Sequence, residues 1–252
     1  MIVKSKDLIK GIQSVIYARS KDKDLKDKPL SGICISLRYN KLNLVASNGH
    51  RLAIYTIPTD ASEKIDAVIS EKTAKEILKN IKKKENVEIE IGNNLVINGL
   101  EYSLIHNKYP NYESIYPEDG FSIEIVVPKE EILEAIENVV KVRPRKGEWG
   151  KYDVIKLTLF NDYNKLIIAA RNHIDDSYNS VEIDIDIKFN HISHEDFIIY
   201  FNDRYVQEAI KPIDSSNVIV RFLKVYNETS QTEFTAENSP YSSIVMPMTG
   251  WM

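Results

Sequence analysis

The segment Tyr39-Asn-Lys-Leu-Asn-Leu-Val-Ala-Ser-Asn48 returns as Tyr163-Asn-Lys-Leu-Ile-Ile-Ala-Ala-Arg-Asn172, 124 residues further along a chain of 252. A copy at half the chain length asks for two similar units in place of one large domain. Both copies read as the turn and second strand of a hairpin, with Asn40-Lys41 and Asn164-Lys165 at the turn. Their surroundings agree. Each half opens with an amphipathic helix, Ser5 to Ala18 and Pro128 to Val142, followed by strands at Gly32 to Arg38 and Val154 to Phe160. A second helix follows in each half, Glu71 to Lys83 and Asn202 to Ile213. Closing strands are expected at Asn86 to Ile91 and Leu95 to Asn98, then at Asn217 to Val225 and Thr232 to Ala236. Pro, Asp and Gly cluster in Tyr116-Pro-Glu-Asp-Gly-Phe121, which places the boundary between units 1–117 and 118–252.

The strands carry a second signal. Val181-Glu-Ile-Asp-Ile-Asp-Ile-Lys188 reads as one strand, aliphatic on one face, with Glu182, Asp184 and Asp186 on the other. Val87-Glu-Ile-Glu-Ile91 repeats the pattern with Glu88 and Glu90. Such alternation marks antiparallel sheet with one face buried and one wet, and here the wet faces are acidic. A hydrophobic fraction of 43% with 9 Gly and 9 Pro fits packed domains rather than disorder. No apolar run is long enough to cross a bilayer, and the charged start Met1-Ile-Val-Lys-Ser-Lys-Asp shows no signal-peptide region, so a cytoplasmic protein is expected. The single cysteine, Cys34, fits a reducing compartment and reads as a small buried strand residue.

A net charge of −4 argues against an ordinary DNA-binding surface unless the positive charge is confined to one face. The helices offer that face. On the first, Leu8, Ile9, Ile12, Val15 and Ile16 form an apolar stripe opposite Lys6, Lys10, Gln13 and Tyr17. On the second, Ala74, Ile77, Leu78 and Ile81 point inward while Lys72, Lys75, Lys79 and Lys82 line one exposed stripe. Four lysines in a row repel unless they are solvated or matched by anions, and a phosphate backbone would match them. Taken by itself, such a run is more often a solvated helix face. The fourth helix turns Arg204, Gln207 and Lys211 away from Tyr205, Val206, Ala209 and Ile210. The third exposes Glu130, Glu134 and Glu137, with basic residues delayed to Lys141, Arg143, Arg145 and Lys146.

Three stretches carry a family resemblance. Ala46-Ser-Asn-Gly-His-Arg-Leu-Ala53 resembles the Gly-His-Arg-Leu-Ala signature in the middle domain of the bacterial DNA polymerase III beta subunit, the beta sliding clamp. Tyr109-Pro-Asn-Tyr-Glu-Ser-Ile-Tyr-Pro117 resembles the segment linking that family's middle and last domains, and Ile244-Val-Met-Pro-Met248 its closing Val-Met-Pro-Met. Their order and spacing match the middle and C-terminal domains only. The resemblance implies an α+β fold of two tandem DNA-clamp domains, each with two helices packed on antiparallel sheet, assembling head-to-tail into a ring. Two-domain chains reach the family's six domains as a homotrimer.

By the same resemblance the chain is a processivity factor that encircles duplex DNA without sequence specificity. It recruits DNA polymerase, the clamp loader and other replication or repair proteins through short peptide segments, with no cofactor, metal or membrane. The DNA-facing residues would be Lys6, Lys10, Lys72, Lys75, Lys79, Lys82, Arg204 and Lys211. A peptide-binding groove would take Leu30, Gly49, His50, Arg51 and Leu52 from the first domain, and Pro110, Tyr112 and Ile115 from the linker. Tyr205, Ile244, Met246, Pro247 and Met248 would complete it from the second domain, Met and Pro making an adaptable apolar surface. Ser114 and Thr249 stand where the family carries basic residues, Glu71 precedes Lys72 where two basic residues are usual, and Trp251 could cap the groove or bind in a neighbour's groove.

Two other classes compete. An enzyme would use His50 or His173 with Asp175 and Asp176, but the sequence has no metal-spaced His/Cys set, phosphate-cradling glycine loop or nucleophile elbow. A non-encircling, clamp-like decoy that captures clamp-binding peptides would keep the fold and lose the ring.

Overall fold

The computed structural model describes residues 1–25, 27–143, 153–160, 164–192, 196–225 and 228–248. Two compact units emerge: residues 1–113 with 240–243, and residues 114–239 with the segment from Ile244 onward. Unit 1 runs β1 (Ile2–Lys4), α1 (Ser5–Val15), β2 (Ile33–Arg38), β3 (Lys41–Ser47), β4 (Arg51–Pro58), β5 (Ile65–Ile69), α2 (Glu71–Ile81), β6 (Asn86–Ile91), β7 (Leu95–Ile97) and β8 (Leu100–Tyr102). Unit 2 runs β9 (Ile123–Pro128), α3 (Lys129–Val139), β10 (Val154–Phe160), β11 (Lys165–Arg171), β12 (Tyr178–Asp184), β13 (Asp186–Asn190), β14 (Phe197–Asn202), α4 (Asp203–Ile210), β15 (Asn217–Val225), β16 (Glu228–Thr235) and β17 (Tyr241–Val245), the start of β17 up to Ser243 counting with unit 1.

The sheets repeat strand for strand. Unit 1 has one antiparallel sheet ordered β1-β6-β7-β8 and another ordered β4-β3-β2-β5. Unit 2 answers with β9-β15-β16-β17, extended by β13 beyond β9, and with β12-β11-β10-β14. Helix α1 packs on β3 and β4 with α2 beside it, just as α3 packs on β11 and β12 with α4 beside it. Even the helix starts repeat. The Ser5 N–H donates to Glu85 O at 2.9 Å and the Lys129 N–H to Ser216 O at 2.8 Å. The second helices are capped alike, the Ser70 side chain accepting from the Thr73 N–H and the Asn202 side chain from the Tyr205 N–H.

Helix α1 meets its sheet closely because Gly11 lies on the contact line: a Cβ there would come within 2.4 Å of Leu44 Cδ1 and 2.9 Å of Tyr55 Cδ1. Leu8, Ile12 and Val15 are buried, whereas Ile9 and Ile16 are half-buried, so the inward stripe is centred nearer Gly11 than the apolar residues alone suggest. Tyr17 does not stand on the outer face as expected. Its hydroxyl lies 2.7 Å from Tyr241 Oη and 2.9 Å from Ser243 Oγ, which draws the ring inward.

Other expectations are revised. The β2–β3 turn is Tyr39-Asn40, at φ 53° and 57°, the left-handed pair that suits a two-residue hairpin, and Lys41 already pairs with Arg38. Lys165 likewise belongs to β11, paired with Phe160. Val181–Lys188 is two strands: β12 pairs with β11, and after Ile185 the chain joins β9 as β13. Alternation survives the change of sheet because Glu182, Asp184 and Asp186 all remain exposed. The sequence pattern also missed the short β1 and β8, as well as β9, which lies at the head of unit 2. Cys34 is buried in β2, and burial pushes its thiol pKa up.

Valine in place of Gly11 would force Leu44 and Tyr55 apart, a cost of about 1–3 kcal/mol for overpacking. Urea denaturation of Gly11→Val should show a lower midpoint than the parent protein.

Candidate functional site

Helix α2 presents its basic stripe as expected. Lys72, Lys75, Lys79 and Lys82 are exposed, while Thr73, Ala74, Ile77 and Ile81 are buried against the unit. Two further exposed lysines that the helical spacing did not single out, Lys83 and Lys84, extend the basic run past the helix end. Glu71 does not dilute the stripe. It is ion-paired with Arg19 and, at 2.7 Å, with Lys75. Lys6 is exposed and Lys10 half-buried on the neighbouring α1. In unit 2, Arg204 and Lys211 are exposed on and just beyond α4, with Arg204 3.2 Å from Glu208. Arg143 is not a surface charge: its guanidinium contacts Asp203 at 2.8 Å and donates to Val154 O at 2.8 Å. Arg145, Lys146, Thr249 and Trp251 lie outside the described residues. Glu130, Glu134 and Glu137 are exposed on α3, which keeps that helix acidic.

The residues expected to line a groove fall into two sets. In unit 1, β3 turns into β4 through Asn48-Gly49-His50. The Asn48 side chain accepts from the N–H groups of His50 at 3.0 Å and Arg51 at 3.1 Å. Gly49 sits at φ 87° with open space around it, so the turn needs glycine for its backbone angle and not for room. Gly49 and His50 are exposed, but Arg51 and Leu52 are buried. Arg51 donates to Tyr17 O at 2.7 Å, with its guanidinium 5.0 Å from the Tyr17 ring centre. Leu30 is half-buried and Pro110 exposed.

Tyr112 is buried. Its hydroxyl donates to Ser36 Oγ at 3.2 Å, and Arg38 lies over its ring while holding Asp66 at 2.6 Å and Glu113 at 3.1 Å. The linker is thereby fixed to the sheet of unit 1 by Tyr109 and Tyr112, both buried. In unit 2, Ile244 is buried, while Ile115, Tyr205, Pro247 and Met248 are half-buried. Met246 is 36% exposed, and the Met248 N–H donates to Tyr200 O at 2.8 Å. The methionine segment thus has a fixed backbone and accessible side chains.

The carboxylates considered for catalysis serve the β11–β12 loop. Asp175 accepts from the Ser177 N–H at 2.9 Å and hydroxyl at 2.6 Å, which lowers its pKa, and Asp176 pairs with Arg171 at 2.7 Å. Among the described residues no group of three His, Cys, Asp or Glu could hold a metal ion, and no helix is long and apolar enough to cross a membrane.

Comparison with known proteins agrees with this architecture. Residues 2–111 match the family model for the DNA polymerase III beta subunit, central domain. A beta sliding clamp of Rickettsia felis is 24% identical over 232 residues, covering 87% of this chain and 59% of the relative. One from Staphylococcus aureus is 25% identical over 200 residues, covering 77% and 50%. The crystal structure of DNA polymerase III, beta subunit, from Thermotoga maritima superposes on 100% of this chain with a TM-score of 0.84 at 23% identity, covering 65% of that chain.

The chain has the fold of DNA polymerase III beta clamps, and residues 2–111 match that family's central-domain model. It spans 59% of the length of the Rickettsia felis relative. The clamp-like fold runs through both units, although the family model reaches only the first.

Burial raises the pKa of the Tyr109, Tyr112 and Tyr241 hydroxyls of this clamp-like chain above their ordinary value of 10.0. A raised pKa means the folded state holds its protons longer than the unfolded state. Stability from these groups is therefore intact below pH 10 and declines as pH rises beyond it. Denaturant titrations at increasing alkalinity should show a falling midpoint. Tyrosinate absorbance should lag behind that of the unfolded chain.

Proposed function

We propose that this protein is a DNA sliding clamp: a non-catalytic ring that surrounds duplex DNA and holds replication proteins on it. The exposed row Lys72, Lys75, Lys79 and Lys82 on α2, in a fold that matches beta clamps throughout, carries this reading. A lysine row can track phosphates without reading bases, so binding is sequence-independent and weakens with salt. Lys6, Lys10, Arg204 and Lys211 would add to the basic face. Acidic charge on the sheets, Glu88 and Glu90 in β6 and Glu182 and Asp184 in β12, would keep DNA off those strands.

DNA polymerase and a clamp loader would be recruited through short peptides. On unit 2, Tyr205, Met246, Pro247 and Met248 would meet the apolar anchors of these peptides. Ile244, being buried, would support this surface from behind. Self-association into a ring, a homotrimer in this reading, would surround the duplex. A ring slides off free ends, so retention on closed circular DNA should far outlast that on short linear duplex.

Charge reversal of Lys72, Lys75, Lys79 and Lys82 to Glu should abolish retention on circles and leave the thermal melt unchanged, because all four side chains are exposed. Unchanged retention would put DNA on another face. Only monomer at micromolar concentration would remove the ring and favour the peptide-capturing decoy.

Peptides with a Gln followed by Leu and Phe anchors should bind with micromolar affinity, about −8 kcal/mol. Met246→Ala with Met248→Ala should weaken them by about 1–3 kcal/mol through lost apolar contact. Calorimetry reads this directly, and equal affinity for parent and double variant would show that the methionine segment is not the site.

A further inference from the structure

We propose that Glu130, Glu134 and Glu137 on α3 form a face that repels the duplex and limits how tightly this chain holds DNA. The proposal rests on the clamp reading and divides the DNA contact unequally between the two units.

The internal repeat identifies the residues. Helices α1 and α3 are both 11 residues long and start on the same backbone bond, Ser5 N–H to Glu85 O and Lys129 N–H to Ser216 O. Ser5 therefore corresponds to Lys129. The buried positions follow suit: Leu8, Gly11, Ile12 and Val15 on α1 match Ile132, Ala135, Ile136 and Val139 on α3. On the outer side the same count sets Glu130 in the place of Lys6, Glu134 in that of Lys10 and Glu137 in that of Gln13. Packing is kept while the charge of the outer row is inverted.

Helix stability does not account for that row. Glu130 and Glu131 lie in the first turn, where carboxylates suit the helix dipole, and α1 likewise has Asp7 there. Glu134 and Glu137 lie beyond that turn. Glu130 with Glu134, and Glu134 with Glu137, are like charges at the spacings that bring side chains together, which weakens a helix. The neighbouring lysines are turned elsewhere. Lys129 donates to Lys211 O at 3.2 Å and Ile213 O at 2.6 Å, and Lys141 to Asn138 Oδ1 at 2.6 Å. All three carboxylates are exposed, and among the described residues no ion pair takes them.

A row that costs the helix something and keeps its charge in solvent acts on what approaches it. In the clamp reading the place of α1 in its unit faces the duplex, and α3 holds that place in unit 2. The α2 lysines then attract phosphates while the α3 carboxylates push them away. Each phosphate contact releases counterions and adds to affinity, so a repelling face lowers the number made. DNA is held chiefly by unit 1, with Arg204 and Lys211 of unit 2, and stays free to slide.

Fluorescence anisotropy of the full chain with a short labelled duplex, over a salt series, tests this. The triple variant Glu130→Gln, Glu134→Gln, Glu137→Gln should bind roughly tenfold tighter than the parent at low salt. The corresponding Lys triple should bind tighter still, its salt dependence steeper by up to about 0.9 in log–log slope per added contact. Glu88→Gln, Glu90→Gln, Glu182→Gln removes as many charges from exposed sheet positions and should stay within about twofold of the parent. Thermal melts should be unchanged throughout. Should the Lys triple lose its thermal transition, the Gln triple, which alters charge and not shape, decides. Affinity of the α3 variants equal to the parent, or raised no more than in the sheet variant, overturns the repelling face while the clamp reading stands. Absence of DNA binding in the parent and every variant overturns both.

Discussion

In each unit an arginine just after the first helix is tied to the carboxylate that opens the second. Arg19 pairs with Glu71 in unit 1, and Arg143 pairs with Asp203 at 2.8 Å in unit 2. Arg143 and Asp203 are each only 11% exposed, so neither charge is tolerable there without the other. Removing one partner of such a pair costs about 3–5 kcal/mol, mostly through the charge left behind. The pair also fixes geometry. It holds the exit of one helix to the first turn of the other, where a carboxylate additionally favours the helix dipole. With both helices set, the apolar faces of α1 and α2, or of α3 and α4, meet their sheet in one arrangement. The face of α2 turned to water is then determined as well.

That outward face reconciles a net charge of −4 with a basic surface. The acidic residues are spread over sheet strands and α3, and several are spent locally: Glu71 on Arg19 and Lys75, Asp66 and Glu113 on Arg38, Glu124 and Glu233 on Arg221. Of the α2 lysines only Lys75 has a close carboxylate partner among the described ion pairs, and an exposed pair of that kind holds its charge weakly. Composition alone would have argued against DNA. Placement is what admits it.

Much of this was legible in the sequence because helical and strand periods are local properties. The four helices and most long strands lie within a few residues of their expected positions, and the repeat announced itself through one hairpin. What local pattern could not carry was partnership. Val181–Lys188 alternates as one strand should, yet it divides between two sheets, because alternation records burial and not the identity of the neighbour. Tyr17 has the spacing of an outer helix residue, but Tyr241 and Ser243, distant in sequence, draw it inward. Arg51 and Leu52 sit inside the most recognisable motif of the chain and are buried, so the motif marks a packed turn, of which only Gly49 and His50 reach the surface.

The repeat also separates what the backbone determines from what side chains add. Ile105 and Met248 make the same hydrogen bond to the same position of their sheets, so backbone geometry there is common to both units. Unit 1 approaches that point through Ser103-Leu104-Ile105, whereas unit 2 approaches it through Met246-Pro247-Met248. The exposed residue at the head of the segment is polar Ser103 in unit 1 and apolar Met246 in unit 2, and burying apolar area drives the binding of apolar anchors. Equivalent scaffolds therefore need not give equivalent sites. Fixing the backbone of the methionine segment reduces the ordering cost of binding, while unbranched methionine side chains keep the freedom to fit more than one partner.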